Sequence, residues 1–157
     1  MKKFLLVVFV GLILITTSVT AGEMRKGISV GAALGAPFTF EVVGDYNFGG
    51  ASATVSLGFI QLLPKQGFFE IGLEGAYHLP FTLATENKSI VLYPTLGGRL
   101  DLQFGGTTII NIGGVIGLNY LLDSIPVRIF AKAIPHFQIG GMFRLAMKGE
   151  VGALYSF

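Results

Sequence analysis

Hydrophobic and polar residues alternate with a period of two along most of the chain after residue 22. In one such segment Phe69, Ile71 and Leu73 alternate with Glu70 and Glu74. Successive side chains of a β-strand point to opposite faces, so this period indicates strands with one apolar and one polar face. Together with the turn signals between the segments, it predicts eight strands at roughly 27–34, 38–46, 50–60, 67–78, 90–104, 107–120, 126–135 and 144–157.

The charged residues within these predicted strands all lie on the face opposite the apolar one. The period therefore predicts that one wall of the sheet carries the charges and that the other carries Val, Ile, Leu and aromatic residues. If the polar face is inside a closed barrel, eleven residues are predicted to form a polar network in its lumen: Glu41, Asp45, Glu70, Glu74, Arg99, Asp101, Arg128, Lys132, Arg144, Lys148 and Glu150. A soluble barrel with the apolar face inside fits the alternation equally well.

The aromatic residues favour the first arrangement. Tyr46, Tyr77, Tyr120 and Tyr155 each close an even-numbered predicted strand on its apolar face, so an up-and-down barrel places all four at one rim. Two aromatic girdles around an apolar band are typical of membrane-spanning barrels. We therefore predict a tyrosine girdle at one rim and a phenylalanine girdle at the other, the latter including Phe38, Phe59, Phe69, Phe104 and Phe143.

The first 21 residues have the composition of a secretory signal peptide. Lys2 and Lys3 precede an apolar run, and the small residues of TTSVTA permit cleavage after Ala21. A retained anchor helix is the alternative. We predict a signal peptide over 1–21 and one barrel domain over 22–157, a segment that carries nine acidic and nine basic residues. This balance, without a Lys/Arg cluster, argues against a nucleic-acid partner, and the absence of cysteine excludes disulfides and thiolate chemistry.

The strand pattern, the signal segment and the final V-G-A-L-Y-S-F resemble the small outer-membrane β-barrel family of Gram-negative-type bacteria. The resemblance implies a single closed antiparallel up-and-down transmembrane β-barrel in the cell outer membrane, monomeric and surrounded by the lipid bilayer. It also implies that the last strand, through Val151, Ala153, Tyr155 and Phe157, is an assembly signal read by the barrel-assembly machinery. An ordinary edge strand that ends the chain is the alternative.

The expected function follows from the width of the barrel. Eight strands enclose a space that their own side chains can fill, and a nearly balanced set of inward charges favours a salt-bridged, plugged interior. We therefore expect a structural or membrane-integrity role. The alternatives are a narrow pore for ions or small solutes and a soluble periplasmic lipocalin-like carrier of an apolar ligand.

No catalytic, cofactor or metal motif is present in the sequence. There is no G-x-S-x-G segment, and the strand count places His78 and His136 at opposite rims. Glu70, Glu74 and His78 share a strand face, but the spacing of four residues separates neighbours by about 13 Å. We therefore expect neither an enzyme nor a bound cofactor or metal ion.

Two features fit the eight-strand pattern poorly. Pro94 falls inside the fifth predicted strand, where it cannot donate a ladder hydrogen bond, so the strand is expected to begin later or to contain a bulge. The longest predicted connection, 79–89, falls on the periplasmic side, where the resembling family has tight turns.

Overall fold

The structure, a computed structural model, describes residues 26–36, 38–63, 66–81, 83–84, 90–122, 124–140 and 143–157. No helix in these ranges is long and apolar enough to cross a membrane. The predicted signal segment, 1–21, lies outside them. The described residues form β1 (Gly27–Ala36), β2 (Thr39–Asn47), β3 (Ala51–Leu63), β4 (Gln66–His78), β5 (Leu83–Ala84), β6 (Val91–Phe104), β7 (Ile109–Leu121), β8 (Val127–Ile139) and β9 (Arg144–Ser156).

The eight long strands form a closed antiparallel barrel. Each pairs with its neighbours in the chain, β4 pairs with β6, and β1 pairs with β9 to close the ring. At this seam Val30 lies opposite Tyr155, and Phe157 N donates a 3.0 Å hydrogen bond to the Ile28 carbonyl. The two-residue β5 pairs only with the first residues of β6. The predicted closed barrel of about eight strands is confirmed.

The barrel has two rims, which we name by the chain ends. The terminal rim carries Gly27, Phe157, the turn 48–50 and residues 124–126, and the distal rim carries the turn 105–108 and Gly140. In the tight turn at the terminal rim, Gly49 has a φ of 103°, and its N–H donates to Asn47 Oδ1 at 2.6 Å. Only glycine adopts such a φ without strain, so the turn requires it.

The apolar face of the strands is the outer wall. Ile112 and Phe59 point outward with 51% and 62% of their surfaces exposed, whereas the neighbouring inward positions are covered. Glu41 and Glu70 are 0% and 1% exposed inside the barrel. This distribution is the inverse of a soluble barrel that encloses an apolar cavity.

Pro94 lies within β6, without the late strand start or bulge that the sequence suggested. The ladder between β4 and β6 ends at His78 and Thr95, and the pairing of β5 with β6 starts at Leu92. Pro94 occupies the gap between the two ladders, and its carbonyl accepts a 3.0 Å hydrogen bond from Leu79 N. On the side of β7, Pro94 stays in the ladder opposite Leu118, and on the side of β4 its missing N–H falls where the ladder ends.

The seventh long strand is longer than the sequence pattern predicted. β8 continues to Ile139, so residues 136–139, which we expected in a connection, pair with β7 and β9. The predicted strand ended at Pro135, which lies inside β8. The pairing of Pro135 with Met147 on β9 is kept, while the ladder to β7 is interrupted at this position.

Candidate functional site in the barrel interior

Inward glycines provide the space for the charged side chains of the lumen. A Cβ atom added to Gly72 on β4 would lie 2.4 Å from Ser56 Oγ and 2.7 Å from Arg99 Nη2. The absence of a side chain at this position lets the guanidinium of Arg99 reach the middle of the barrel. A narrow eight-stranded barrel can hold a large inward side chain only where its neighbours are small.

Arg99 is the centre of a buried ionic cluster. Its Nε lies 2.6 Å from Asp101 Oδ1, its Nη2 lies 2.8 Å from Glu41 Oε2, and its Nη1 lies 3.1 Å from Glu150 Oε2. Nη2 also donates to Ser56 Oγ at 3.0 Å. We call the set the Arg99 cluster; it comprises Arg99, Lys148, Glu41, Glu70, Asp101 and Glu150, all 5% exposed or less.

Lys148 is the second cation of the Arg99 cluster. Its Nζ donates to Glu41 Oε1 and, at 2.6 Å, to Glu70 Oε1. Glu70 Oε2 accepts a 2.7 Å hydrogen bond from Gln103 Nε2. Both oxygens of Glu70 are therefore occupied, and strands β2, β4, β6 and β9 are connected through one group of side chains. Charge-assisted hydrogen bonds of this kind are the strong ones in proteins.

A small apolar layer separates the Arg99 cluster from the terminal rim. It consists of Ala33, Val43, Phe130 and Leu154, all of which point inward and are 3% exposed or less. The ring of Phe130 lies against Gly152, where an added Cβ atom would be 2.5 Å from Cζ. The lumen therefore contains buried apolar contacts as well as ionic ones.

Two further ion pairs connect strands in the terminal half of the lumen. Lys132 Nζ lies 2.6 Å from Glu74 Oε1 and 4.7 Å from the centre of the Phe130 ring. Arg128 forms a salt bridge with Asp45, which also accepts a 2.7 Å hydrogen bond from Thr54. Glu74 also reaches the Arg99 cluster, because its Oε2 lies 3.7 Å from Arg99 Nη1.

The cavity between these pairs is very small. It measures about 10 Å³ and is lined in part by Asp45, Ser52, Glu74, His78 and Arg128. That volume is near the minimum for one water molecule. Ser52, His78 and Asp45 are the residue types of a catalytic triad, but neither ring nitrogen of His78 has a hydrogen-bond partner among the described residues, Ser52 included.

A larger polar cavity lies on the distal side of the Arg99 cluster. Its volume is about 180 Å³, enough for several water molecules. We call it the vestibule; its polar lining comprises Thr39, Glu70, Asp101, Gln103, Asn111, His136, Gln138, Arg144 and Lys148. The second histidine, His136, lies here, with Nδ1 3.0 Å from the Ile134 carbonyl. The two histidines occupy opposite halves of the lumen.

Arg144 differs from the other ten residues of the predicted network. The structure places those ten inside the barrel, nine of them buried and Lys132 half-buried. Arg144 is exposed at the distal rim, where its Nε donates to Gln138 Oε1, and it forms no ion pair with any described residue. Without it, the interior holds six carboxylates and four basic groups in the described part of the chain. The sequence predicted a nearly balanced inward charge. That prediction is wrong, because it counted Arg144 among the inward basic groups.

Uncharged residues of the network were not identified from the sequence. Ser56 contacts Arg99, Gln103 contacts Glu70, and Thr54 contacts Asp45. Their inward parity was visible in the period of two. Without a charge, however, they could not be distinguished from other small polar residues of the same face.

The predicted girdle tyrosines lie on the outer wall at the terminal rim. Tyr46, Tyr77 and Tyr155 are 48%, 54% and 48% exposed, while Tyr120 is half-buried. The rings of Tyr46 and Phe48 meet edge to face at 4.7 Å between centres.

The end of β9 repeats this arrangement. Tyr155 and Phe157 form an edge-to-face pair at 5.2 Å between ring centres. Val151 and Phe157 are 55% and 81% exposed, and Ala153 also points outward, so the four residues of the predicted assembly signal share the outer wall.

Phenylalanines occupy the outer wall near the distal rim. Phe59 and Phe69 lie 5.6 Å apart, and Phe137 and Phe143 stack at 5.5 Å between ring centres. Phe38, at the hairpin between β1 and β2, is 84% exposed. The wall therefore has one aromatic band at each end of an aliphatic belt.

In the described ranges, no three His, Asp or Glu side chains are placed to hold a metal ion. No protein-family model, curated protein or solved structure is significantly similar to this chain.

Proposed function

We propose that this protein is an integral β-barrel of a bacterial outer membrane with a closed, ion-paired interior and a structural role in the membrane. The observation that carries the proposal is the apolar outer wall. Side chains such as Val42, Leu57, Leu73, Ile116 and Val151 are each 45–59% exposed on a continuous surface. Soluble monomers rarely expose so many large apolar side chains together, whereas a surface that meets lipid typically does.

The dimensions of the wall support the same proposal. The long strands have 9 to 14 residues, and a tilted strand needs about 9–11 residues to cross the hydrocarbon layer. Ring closure pairs the backbone groups of all eight long strands on both sides, as hydrocarbon surroundings require. The two aromatic bands are then at the level of the lipid headgroups.

The closed interior supports a structural role. The Arg99 cluster joins β2, β4, β6 and β9 across the barrel, and the apolar layer and the Arg128 and Lys132 pairs occupy the terminal half. The cavity between those two pairs measures about 10 Å³, so we expect no continuous water column through it. We propose further that the protein is a monomer, is not an enzyme and is inserted by the barrel-assembly machinery through the outward face of β9.

A single tryptophan tests the membrane assignment, because the chain contains none. Ile112→Trp puts the probe at the middle of the outer wall, and Phe48→Trp puts it at the terminal rim. In vesicles that contain brominated lipids, we expect the indole of Ile112→Trp to be quenched strongly by bromines deep in the acyl chains. The indole of Phe48→Trp should be quenched most by bromines near the headgroups. Emission typical of water at both positions, without quenching, would contradict a transmembrane barrel and favour a soluble one.

A narrow pore is the second candidate function, and the vestibule favours it because it brings water to the Arg99 cluster. Single-channel recording of the refolded protein in a planar bilayer separates the two functions. A closed barrel gives no steady openings. Regular openings of defined conductance would replace the structural role with transport of ions or small solutes.

A further inference from the structure

The Arg99 cluster contains more buried negative charge than positive charge. Four carboxylates face only two cations, Arg99 and Lys148. The remaining interior bases, Arg128 and Lys132, are engaged by Asp45 and Glu74 in their own pairs. Burial of uncompensated charge is unfavourable, so the cluster requires either a proton on one of its carboxylates or a counter-charge from outside its own residues.

The vestibule offers the place for that counter-charge. The carboxylates of Glu70 and Asp101 form part of its lining, and among the described residues only Arg99 donates to Asp101, through Oδ1. Asn111, also on the lining, is 4% exposed, and its Oδ1 accepts no hydrogen bond from any described residue. A buried amide oxygen without a donor is an unfavourable arrangement that a cation would relieve.

The cations that line the vestibule do not remove this need. Lys148 is bound to Glu41 and Glu70. Arg144 is exposed at the rim and donates to Gln138, so solvent screens its charge. His136 lies within hydrogen-bonding distance of the Ile134 carbonyl through Nδ1. The Asn111 amide oxygen and the Asp101 carboxylate are open to a ligand, and the two residues lie directly opposite each other on β7 and β6.

We propose that the vestibule binds a small inorganic monovalent cation, Na⁺ or K⁺, between the amide oxygen of Asn111 and the carboxylate of Asp101. The described residues offer no set of three His, Asp or Glu ligands, so the site lacks the donors of a tight divalent site. A volume of about 180 Å³ lets the ion keep part of its water shell. The inference concerns the interior alone and does not require the membrane location.

The test uses the full mature chain, refolded in detergent micelles, so that it is independent of the membrane experiment. The unfolding midpoint is measured as KCl replaces the chloride of N-methylglucamine, a bulky organic cation, at constant ionic strength. Binding to the folded state raises the midpoint with a saturable dependence on ligand concentration, so we expect a rise of a few degrees that levels off. A general screening effect depends on ionic strength alone and is the same for both salts.

Two leucine variants on β7 test where potassium binds. Asn111→Leu removes the amide oxygen, and we expect it to abolish the potassium-dependent rise. Asn119→Leu is the matched control. Asn119 is equally buried but lies in the terminal half, where its Nδ2 donates to the Tyr93 carbonyl at 3.2 Å. It should lower the midpoint in both salts and keep the potassium-dependent rise.

Two outcomes overturn the proposal. A potassium-dependent rise that survives Asn111→Leu would place the ion elsewhere. Equal midpoints in the two salts from pH 5 to pH 8, combined with a midpoint that rises as the pH falls, would mean that bound protons supply the counter-charge. Equal midpoints without any pH dependence would mean that the cluster needs no counter-charge.

Discussion

Arg99 Nη1 donates hydrogen bonds of 3.1 Å to both carboxylate oxygens of Glu150, three strands away around the barrel. Nη2 of the same guanidinium donates to Glu41 at 2.8 Å. Glu41 on β2 and Glu150 on β9 flank β1, which is diametrically opposite β6 in the ring of eight strands. One planar side chain therefore ties β6 to both neighbours of the strand that it faces across the lumen.

We expect Arg99→Leu to destabilise the barrel strongly. The variant leaves the buried carboxylates with Lys148 as their nearest cation, and loss of one partner of a buried ion pair costs about 3–5 kcal/mol. Urea titration in micelles, followed by circular dichroism, measures the loss. Arg144→Leu is the control, because Arg144 is exposed and in no described ion pair; its effect should stay within about 0.5 kcal/mol. Equal effects would show that the cluster adds nothing beyond surface charge.

Substitutions at Val115 and Ile112 test which face of the barrel, the inner or the outer, is packed against protein. The two positions lie three residues apart on β7, and Val115 points inward with 0% exposure while Ile112 points outward with 51%. Val115→Trp should overfill the lumen and cost about 1–3 kcal/mol, whereas Ile112→Trp should be tolerated. The comparison is made by denaturant titration in micelles. Strong damage from the outward substitution would mean that the outer wall packs against protein rather than lipid.

Gly152 and Gly149 on β9 form a second matched pair. An added Cβ atom at Gly152 would lie 2.5 Å from the Ala32 carbonyl oxygen and from the Phe130 ring, whereas at Gly149 it meets nothing within 4 Å. Gly152→Ala should therefore cost about 1–3 kcal/mol by overpacking. Gly149→Ala should be neutral or stabilising by about 0.4–1 kcal/mol through the unfolded chain. The unfolding midpoints of the two variants are compared. A lower midpoint for Gly149→Ala than for Gly152→Ala would contradict the packing of the interior.

Phe157→Ala tests the proposed assembly signal. If the outward face of β9 is read during insertion, the variant should reduce the amount of barrel in the outer membrane several-fold in cells, while refolding of the purified chain in detergent changes little. Phe143→Ala is the control at the other rim, since Phe143 is 73% exposed and Phe157 is 81% exposed. A similar reduction for both variants in cells would indicate only the loss of an aromatic anchor.

The fold was predictable because apolar and polar residues alternate with a period of two along most of the strands. Inward charges such as Glu41 and Glu70 and outward residues such as Ile112 follow from parity alone, and parity persists through each strand of a closed sheet. The prediction of a late start or a bulge at Pro94 was wrong. The sequence shows that Pro94 cannot donate a hydrogen bond, but it cannot show that the partner strand has ended at His78.

The sequence predicted most of the charged residues of the candidate site but not their arrangement. Parity placed Arg144 with the other inward charges, but height along the barrel decides exposure, and height depends on where each strand begins. The central position of Arg99 depends on the missing side chain of Gly72, a contact between strands that are far apart in the sequence. Asn111 and Ser56 carry no charge, so nothing in the sequence separated them from structural polar residues.

The seam between β1 and β9 has a consequence for chain connectivity. The Phe157 carbonyl oxygen would lie 3.5 Å from a Cβ atom on Gly27, so in a variant that begins at Gly27 a short linker could join the first and last strands of the barrel. The turn after β2 could then be opened behind Phe48, and the new last strand would end in Tyr46, Asn47 and Phe48, with the same edge-to-face ring pair as Tyr155 and Phe157. Such a circular permutant would keep every strand neighbour of the native barrel. The order of the strands along the chain could therefore be changed without changing their order around the barrel.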